Sequence, residues 1–140
     1  MNIEIFSLCD AATENDGKVN LLGAFDTVAS REEPVTIGHC AVALRLRFKR
    51  IESGAHQVRL ALVDADGRAV IPAFQTLMNI RVREPQESAV ANLILNLQQV
   101  KLGSFGRYAV DLAVDGRQEG SLPFYIRQIA APAPEPRPEA

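Results

Sequence analysis

From Cys40 to Lys49 the chain alternates. Cys40, Val42, Leu44, Leu46 and Phe48 are apolar, and Ala41, Ala43, Arg45, Arg47 and Lys49 fall between them. Successive side chains of a strand point to opposite faces. The spacing therefore predicts a strand with one apolar face and one face carrying three cations. On a helix the same groups would scatter around the circumference.

The same pattern predicts strands over residues 3–8, 19–28, 56–64, 77–82, 108–114 and 122–129. In the second of these Leu21, Gly23 and Phe25 share a side, and in 56–64 Val58, Leu60 and Leu62 do. Turn chemistry falls between them at Asn15-Asp16-Gly17-Lys18, Ser53-Gly54, Asp64-Ala65-Asp66-Gly67 and Asp115-Gly116, while Glu84-Pro85 ends the strand at 77–82. Gly, Asn and Asp tolerate the positive φ that such turns need. Tyr108, Val110, Leu112 and Val114 share one face of a closing hairpin, with Leu122, Phe124 and Ile126 on its second strand.

Residues 89–102 fit two periods. Val90, Leu93, Ile94 and Leu97 lie on one helical face, and Leu93, Leu95 and Leu97 fit a strand equally well. The neighbouring residues decide for the strand. Leu95-x-Leu97-x-x-Val100 is followed by Ser104-Phe105-Gly106-Arg107-Tyr108-Ala109-Val110, which resembles the approach to the penultimate strand of immunoglobulin domains. The resemblance implies that Tyr108, with Gly106 before it, is a tyrosine-corner residue whose hydroxyl bonds back to nearby backbone. Val110 stands where those domains carry a disulfide cysteine, and the chain has no tryptophan. The expected fold is all-β, an antiparallel two-sheet β-sandwich of immunoglobulin-like type spanning residues 1–129. Residues 130–140 carry four prolines, at 132, 134, 136 and 138. They are expected to form an extended, disordered tail, either passive or a polyproline-type ligand for another protein.

A second resemblance covers nearly all of residues 1–129. The run Leu8-Cys9-Asp10-Ala11-Ala12, then Gly17 to Asp26, then Asp64 to Gly67, then Gly106, Tyr108 and Val114-Asp115-Gly116 is similar to an uncharacterised bacterial family of small cytoplasmic β-sandwich proteins. That resemblance implies a fold and a cytoplasmic location, and it brings no activity.

Composition narrows the picture. The chain has 140 residues, 47% hydrophobic and 23% charged, with a net charge of −2, which fits one globular domain. The N-terminal residues lack the pattern of a secretory signal, and no apolar run reaches the roughly 18 residues of a membrane span. Two cysteines make no disulfide framework, so both thiols are expected to be reduced in the cytoplasm.

Candidate chemistry is sparse. Asp64-x-Asp66-Gly67 supplies two carboxylates, far short of the six to eight oxygens calcium takes, and reads as a turn. Asp111 or Asp115 would have to complete it. Cys9, His39, Cys40 and His56 have no zinc-module spacing, and adjacent strand residues such as His39 and Cys40 point apart. Gly103-Ser104-Phe105-Gly106 precedes a strand, without the lysine or the helix N-terminus of a phosphate cradle. No catalytic residue, cofactor or metal is therefore assigned.

The surface lead is the cationic row Arg45, Arg47 and Lys49. Arg59 is expected on a neighbouring strand beside it, with Arg81 and Arg83 as further members. The competing expectation is cross-strand pairing with carboxylates. Few aromatics and a slightly acidic chain argue against nucleic acid. The sequence points to a non-enzymatic protein-interaction module, with another protein or a second copy as partner. A ligand-binding sandwich taking a small molecule, glycan or anion on the basic face is the alternative. An enzyme with a loop-assembled site comes third.

Overall fold

The computed structural model describes residues 1–130. The tail expected from residue 130 falls, from 131 on, outside the described residues. Nine strands follow in order: β1 (Asn2–Asn15), β2 (Lys18–Ala24), β3 (Thr27–Ser30), β4 (Val35–Lys49), β5 (Gly54–Asp64), β6 (Phe74–Ile80), β7 (Ser88–Leu102), β8 (Gly106–Val114) and β9 (Arg117–Gln128). A single 3-10 turn, Arg50–Glu52, joins β4 to β5. Sheet A has the order β2-β1-β4-β7, and sheet B, which is strongly curled, has the order β3-β9-β8-β5-β6.

The apolar face of β4 lies between the sheets as its alternation requires. Val42, Leu44, Leu46 and Phe48 are fully buried there, facing Val58, Leu60 and Leu62 of β5 and Val110 and Leu112 of β8. Burial of each large side chain stabilises the fold by roughly 1.5–3 kcal/mol. The segment 93–102 is strand, as its neighbours indicated. Leu93, Leu95 and Leu97 pack on the main core, while Ile94 packs on the opposite side of the sheet.

Three expectations are corrected. The strand expected over 19–28 is two strands in different sheets. The chain leaves sheet A at Phe25-Asp26, where Phe25 N–H bonds to Leu8 O and Asp26 O accepts from Tyr125 N–H. Gly23 makes that departure: its φ is +70°, and the Asp10 carboxyl leaves no room for a side chain. Second, pairing is not wholly antiparallel, because the transferred strand β3 runs parallel to β9. Third, the strand expected over 77–82 is β6, Phe74–Ile80, and the first strand runs on to Asn15.

The extra length of β1 shapes the outer face of sheet A. Residues 2–9 pair with β4, and residues 9–15 pair with β2 instead. The distal half of this hairpin swings across β4 until Gly17 O, at its tip, accepts from Arg45 Nη1 (2.9 Å) and from Asn92 Nδ2 of β7 (3.1 Å). Ala41 and Ala43 are fully buried beneath it, with Cys9 and Ala12 beside them and Ile5, Val19 and Ile94 around the rim. Alanines suit this position because a larger side chain would hold the hairpin off the sheet.

Candidate functional site

The cationic row of β4 keeps to one face but does not extend to Arg59, and its arginines are paired. Arg45 and Arg47 both close on Glu4 of β1, at 2.9 and 2.5 Å. The Arg47 and then the Arg45 hydrogen bonds hold the Glu4 carboxyl below its ordinary range. Arg47 also donates to Ser88 Oγ (2.8 Å), and Arg45 to the hairpin tip and to Asn92 Oδ1. Arg59 sits on β5 in sheet B, opposite Ala113 and Gln75, so it is not a neighbour of the row. The expected grouping with Arg45, Arg47 and Lys49 fails because adjacent segments β4 and β5 belong to different sheets. Lys49 and Arg50 border a shallow cleft of about 770 Å³ that also holds Glu87 and the exposed Ile51, and Arg50 donates to Gln86 O.

Both histidines are held by hydrogen bonds from their rings. His39 Nδ1–H donates to Asp10 O (2.9 Å) under the hairpin. His56 stacks on Phe48 and directs one nitrogen at Glu52 O (2.6 Å) and the other at Asp115 Oδ2 (2.6 Å). A carbonyl and a carboxylate both accept, so the ring is an imidazolium donating from both nitrogens. The Glu52 carbonyl first, and Asp115 second, raise its pKa above the ordinary value. Asp115 is lowered by the same contact and by Gln57 N–H, and Glu52 by the Met1 ammonium at 2.6 Å.

Other leads resolve into structure. Asp64 Oδ1 accepts from Asp66 N–H and Arg68 N–H, which closes the turn at Gly67. Asp111 accepts from Ser121. Phe105 N–H is taken by Glu33, and the Tyr108 hydroxyl donates to Ser104 O at 2.7 Å. Cys40 lies in the main core and Cys9 under the hairpin, on opposite sides of sheet A. Burial, then Cys9, pushes the Cys40 thiol up to about 11, which makes it inert at neutral pH. Among the described residues, no three His, Cys, Asp or Glu side chains come together as a metal site.

What the structure leaves unanswered lies on the β6/β7 flank. Among the described residues, β7 ends sheet A and pairs only with β4. From Ser88 to Val100 it has thirteen residues without one charge, and its backbone is regular up to Gln98, before Gln99 turns to φ +52°. Asn96 and Gln98 are exposed, and Leu93, Leu95 and Leu97 are only half-buried. β6, at the matching margin of sheet B, is also uncharged, and its Leu77 is 71% exposed. Between the two margins opens a cavity of about 200 Å³, lined wholly by apolar side chains that include Leu62, Ile71, Phe74, Leu95, Leu97 and Val110. Residue-by-residue reading missed this flank. Its signal was the uncharged run itself, in a chain that is 23% charged.

Comparison with known proteins adds a family and little else. No curated protein matches the chain. Among solved structures, it is similar to Pseudomonas fluorescens alkylpurine DNA glycosylase AlkC bound to DNA containing an abasic site analog, at 15% identity and a TM-score of 0.45. The match covers 73% of this chain and 28% of that one, so the chain spans under a third of the glycosylase's length, and a likeness of this size carries no argument. The model of DUF6941, a family of unknown function, matches residues 4–127, and the chain belongs to that family.

Proposed function

We propose that the protein is a non-enzymatic interaction module that takes a partner by strand addition at the β7 edge. One observation carries the reading: an edge unpaired among the described residues, regular over residues 88–98, with no charged side chain. Exposed edges are ordinarily blunted with lysine, proline, inward charge or brevity, because unpaired N–H and C=O groups invite another chain. β7 has none of these devices between Ser88 and Gln98. Strand addition uses such an edge, with main-chain hydrogen bonds supplying affinity.

The fold reading belongs with this proposal. In immunoglobulin terms β4, β5, β8 and β9 take the places of strands B, C, F and G, and Tyr108 near the start of β8 takes that of the corner tyrosine. The Tyr108–Ser104 bond and the parallel β3–β9 pair fit that scheme. A cytoplasmic site of action is supported by two free, buried thiols.

The test is comparative capture from native cell extract. Wild type and Arg59→Ala are expected to retain the same partner, and the double variant Asn96→Lys/Gln98→Lys to lose it. Both substituted positions are exposed. Equal capture by all three would end the reading.

A further inference from the structure

We propose that the cleft at Arg81 and Arg83 binds a phosphoryl dianion, held between the two guanidinium groups. The inference does not rest on the strand-addition reading, and it concerns a different ligand.

The sequence sets the two cations side by side. Ile80 is buried and Val82 packs on the main core. Alternate residues of an extended segment share a side, so Asn79, Arg81 and Arg83 fall together on the other one. Residues two apart in an extended chain lie about 6.6 Å from one another, and two side chains as long as arginine at that spacing reach a single tetrahedral ion. The segment is tethered at its far end. Gln86 N–H donates to Arg83 O (2.9 Å), and Arg50 N–H of the 3-10 turn donates to Glu87 O (3.1 Å).

The cleft leaves its positive charge unanswered. It measures about 460 Å³ and opens between this segment and Ala89 to Asn92 of β7. Its lining holds both arginines and no carboxylate. Clefts elsewhere on the molecule do hold one: Glu87 beside Lys49 and Arg50, Asp115 beside His56 and Arg117, and Asp64 beside Arg107. Arg45 and Arg47 are answered by Glu4, whereas neither Arg81 nor Arg83 has an ion-pair partner among the described residues. Glu84 follows Arg83 in sequence but does not line the cleft, and Glu87 lines the cleft at Lys49 instead.

The lining selects the ligand. A guanidinium is a planar fork that matches phosphate oxygens two at a time. Two of them balance a phosphoryl group, whose charge is about −1.5 to −2 at pH 7. A monoanion would leave one of the two unanswered. The Asn79 amide, on the same side of the segment, adds N–H donors. Met78, Val90 and Ala91 supply an apolar wall next to the charges, which suits the organic part of a phosphomonoester. The volume falls within the range of about 300–1,000 Å³ usual for small-molecule sites.

The experiment is amide-correlation NMR of the full chain in low salt at neutral pH, with phenyl phosphate, inorganic phosphate and benzenesulfonate as probes. Phenyl phosphate is expected to give saturable shifts centred on residues 79–83 and 89–92. Benzenesulfonate, of similar shape but a monoanion, is expected to bind roughly tenfold more weakly or worse. Arg81→Gln and Arg83→Gln are each expected to weaken phenyl phosphate by a similar factor. Both arginines are exposed, and an otherwise unchanged spectrum checks that the fold survives. Arg59→Gln, at an exposed arginine outside the cleft, is expected to bind as wild type does. Inorganic phosphate separates the sources: tighter binding of phenyl phosphate assigns the site to an ester, equal binding assigns it to the free ion, and both support a phosphoryl site. Absence of saturable shifts, shifts centred on other arginines, equal binding of benzenesulfonate, or undiminished binding in either glutamine variant overturns the proposal.

Discussion

The two margins of sheet A are built on opposite principles. On the β1/β2 side the sheet ends in β2, which pairs with β1 in a hairpin whose strands do not lie along β4. They curl over the sheet until the hairpin tip is held by Arg45 and Asn92, and small side chains close a second core beneath. On the β7 side the sheet stops, with no charge from Ser88 to Val100 and, among the described residues, nothing paired beyond it. The first margin is latched onto the sheet through its hairpin tip, and the second ends without such a latch among the described residues. Both margins flank the same β4, so neighbouring core packing does not explain the difference. It lies in what each strand carries on its far side.

Substitutions should separate the margins. The largest effect is expected from Ala43→Leu. Ala43 is fully buried under the hairpin, and forcing extra methylenes into a packed site costs about 1–3 kcal/mol, measured by chemical denaturation. A cost near zero would mean that the hairpin stands off the sheet and that the contrast fails.

Arg45→Met keeps an unbranched apolar stem and removes the bonds to Gly17 O, Asn92 and Glu4. A loss on the order of 1 kcal/mol is expected. Amide exchange should quicken in residues 12–22 and stay unchanged in β7, which would localise the latch to one margin.

The His56 clasp lies where β4 passes into β5 and tests whether the margins share a common support. Its folded pKa is raised above the ordinary 6.5. Its contribution is therefore fully present below pH 6.5 and lost as pH rises through the raised value. Asp115, Glu52 and Glu4 are lowered, so theirs is present above about pH 4 and lost as pH falls through the lowered values. Melting temperature should peak in mildly acidic solution and decline on the alkaline side. His56→Gln should flatten that alkaline decline relative to wild type, with hairpin and β7 exchange changing together. An unchanged alkaline slope would show that the imidazolium is not the titrating group.

The smallest effect belongs to the open margin. Asn96→Lys/Gln98→Lys should leave stability within about 0.5 kcal/mol of wild type, although it is expected to abolish partner capture. A large destabilisation would mean that the edge is already engaged within the chain.

Much of this was legible along the chain. The inward set Cys40, Val42, Leu44, Leu46 and Phe48 emerged from period two because one face of the strand is uniformly buried, and burial imposes uniform hydrophobicity. The closing hairpin of β8 and β9 was legible for the same reason. The outward set was not. Ala41 and Ala43 are neutral in pattern, and nothing local says that a hairpin thirty residues upstream will cover them. That Arg45 and Arg47 pair with a carboxylate was one of the two expectations, but which carboxylate was not legible, because Glu4 is distant in sequence. The strand at 19–28 was read as one piece because the apolar alternation hardly changes across Phe25, while the crossing is made by backbone at Gly23.

The chain by itself determined which residues turn inward, where most turns fall, and that β7 carries no charge, since each of these is a property of residue type and local spacing. Only the tertiary structure decided which sheet each strand joins, that Arg59 lies apart from Arg45 and Arg47, and that the uncharged strand ends its sheet beside an apolar cavity. Strand order depends on pairings between segments far apart in sequence. Period two specifies the face a side chain takes and says nothing about which strand lies beside it.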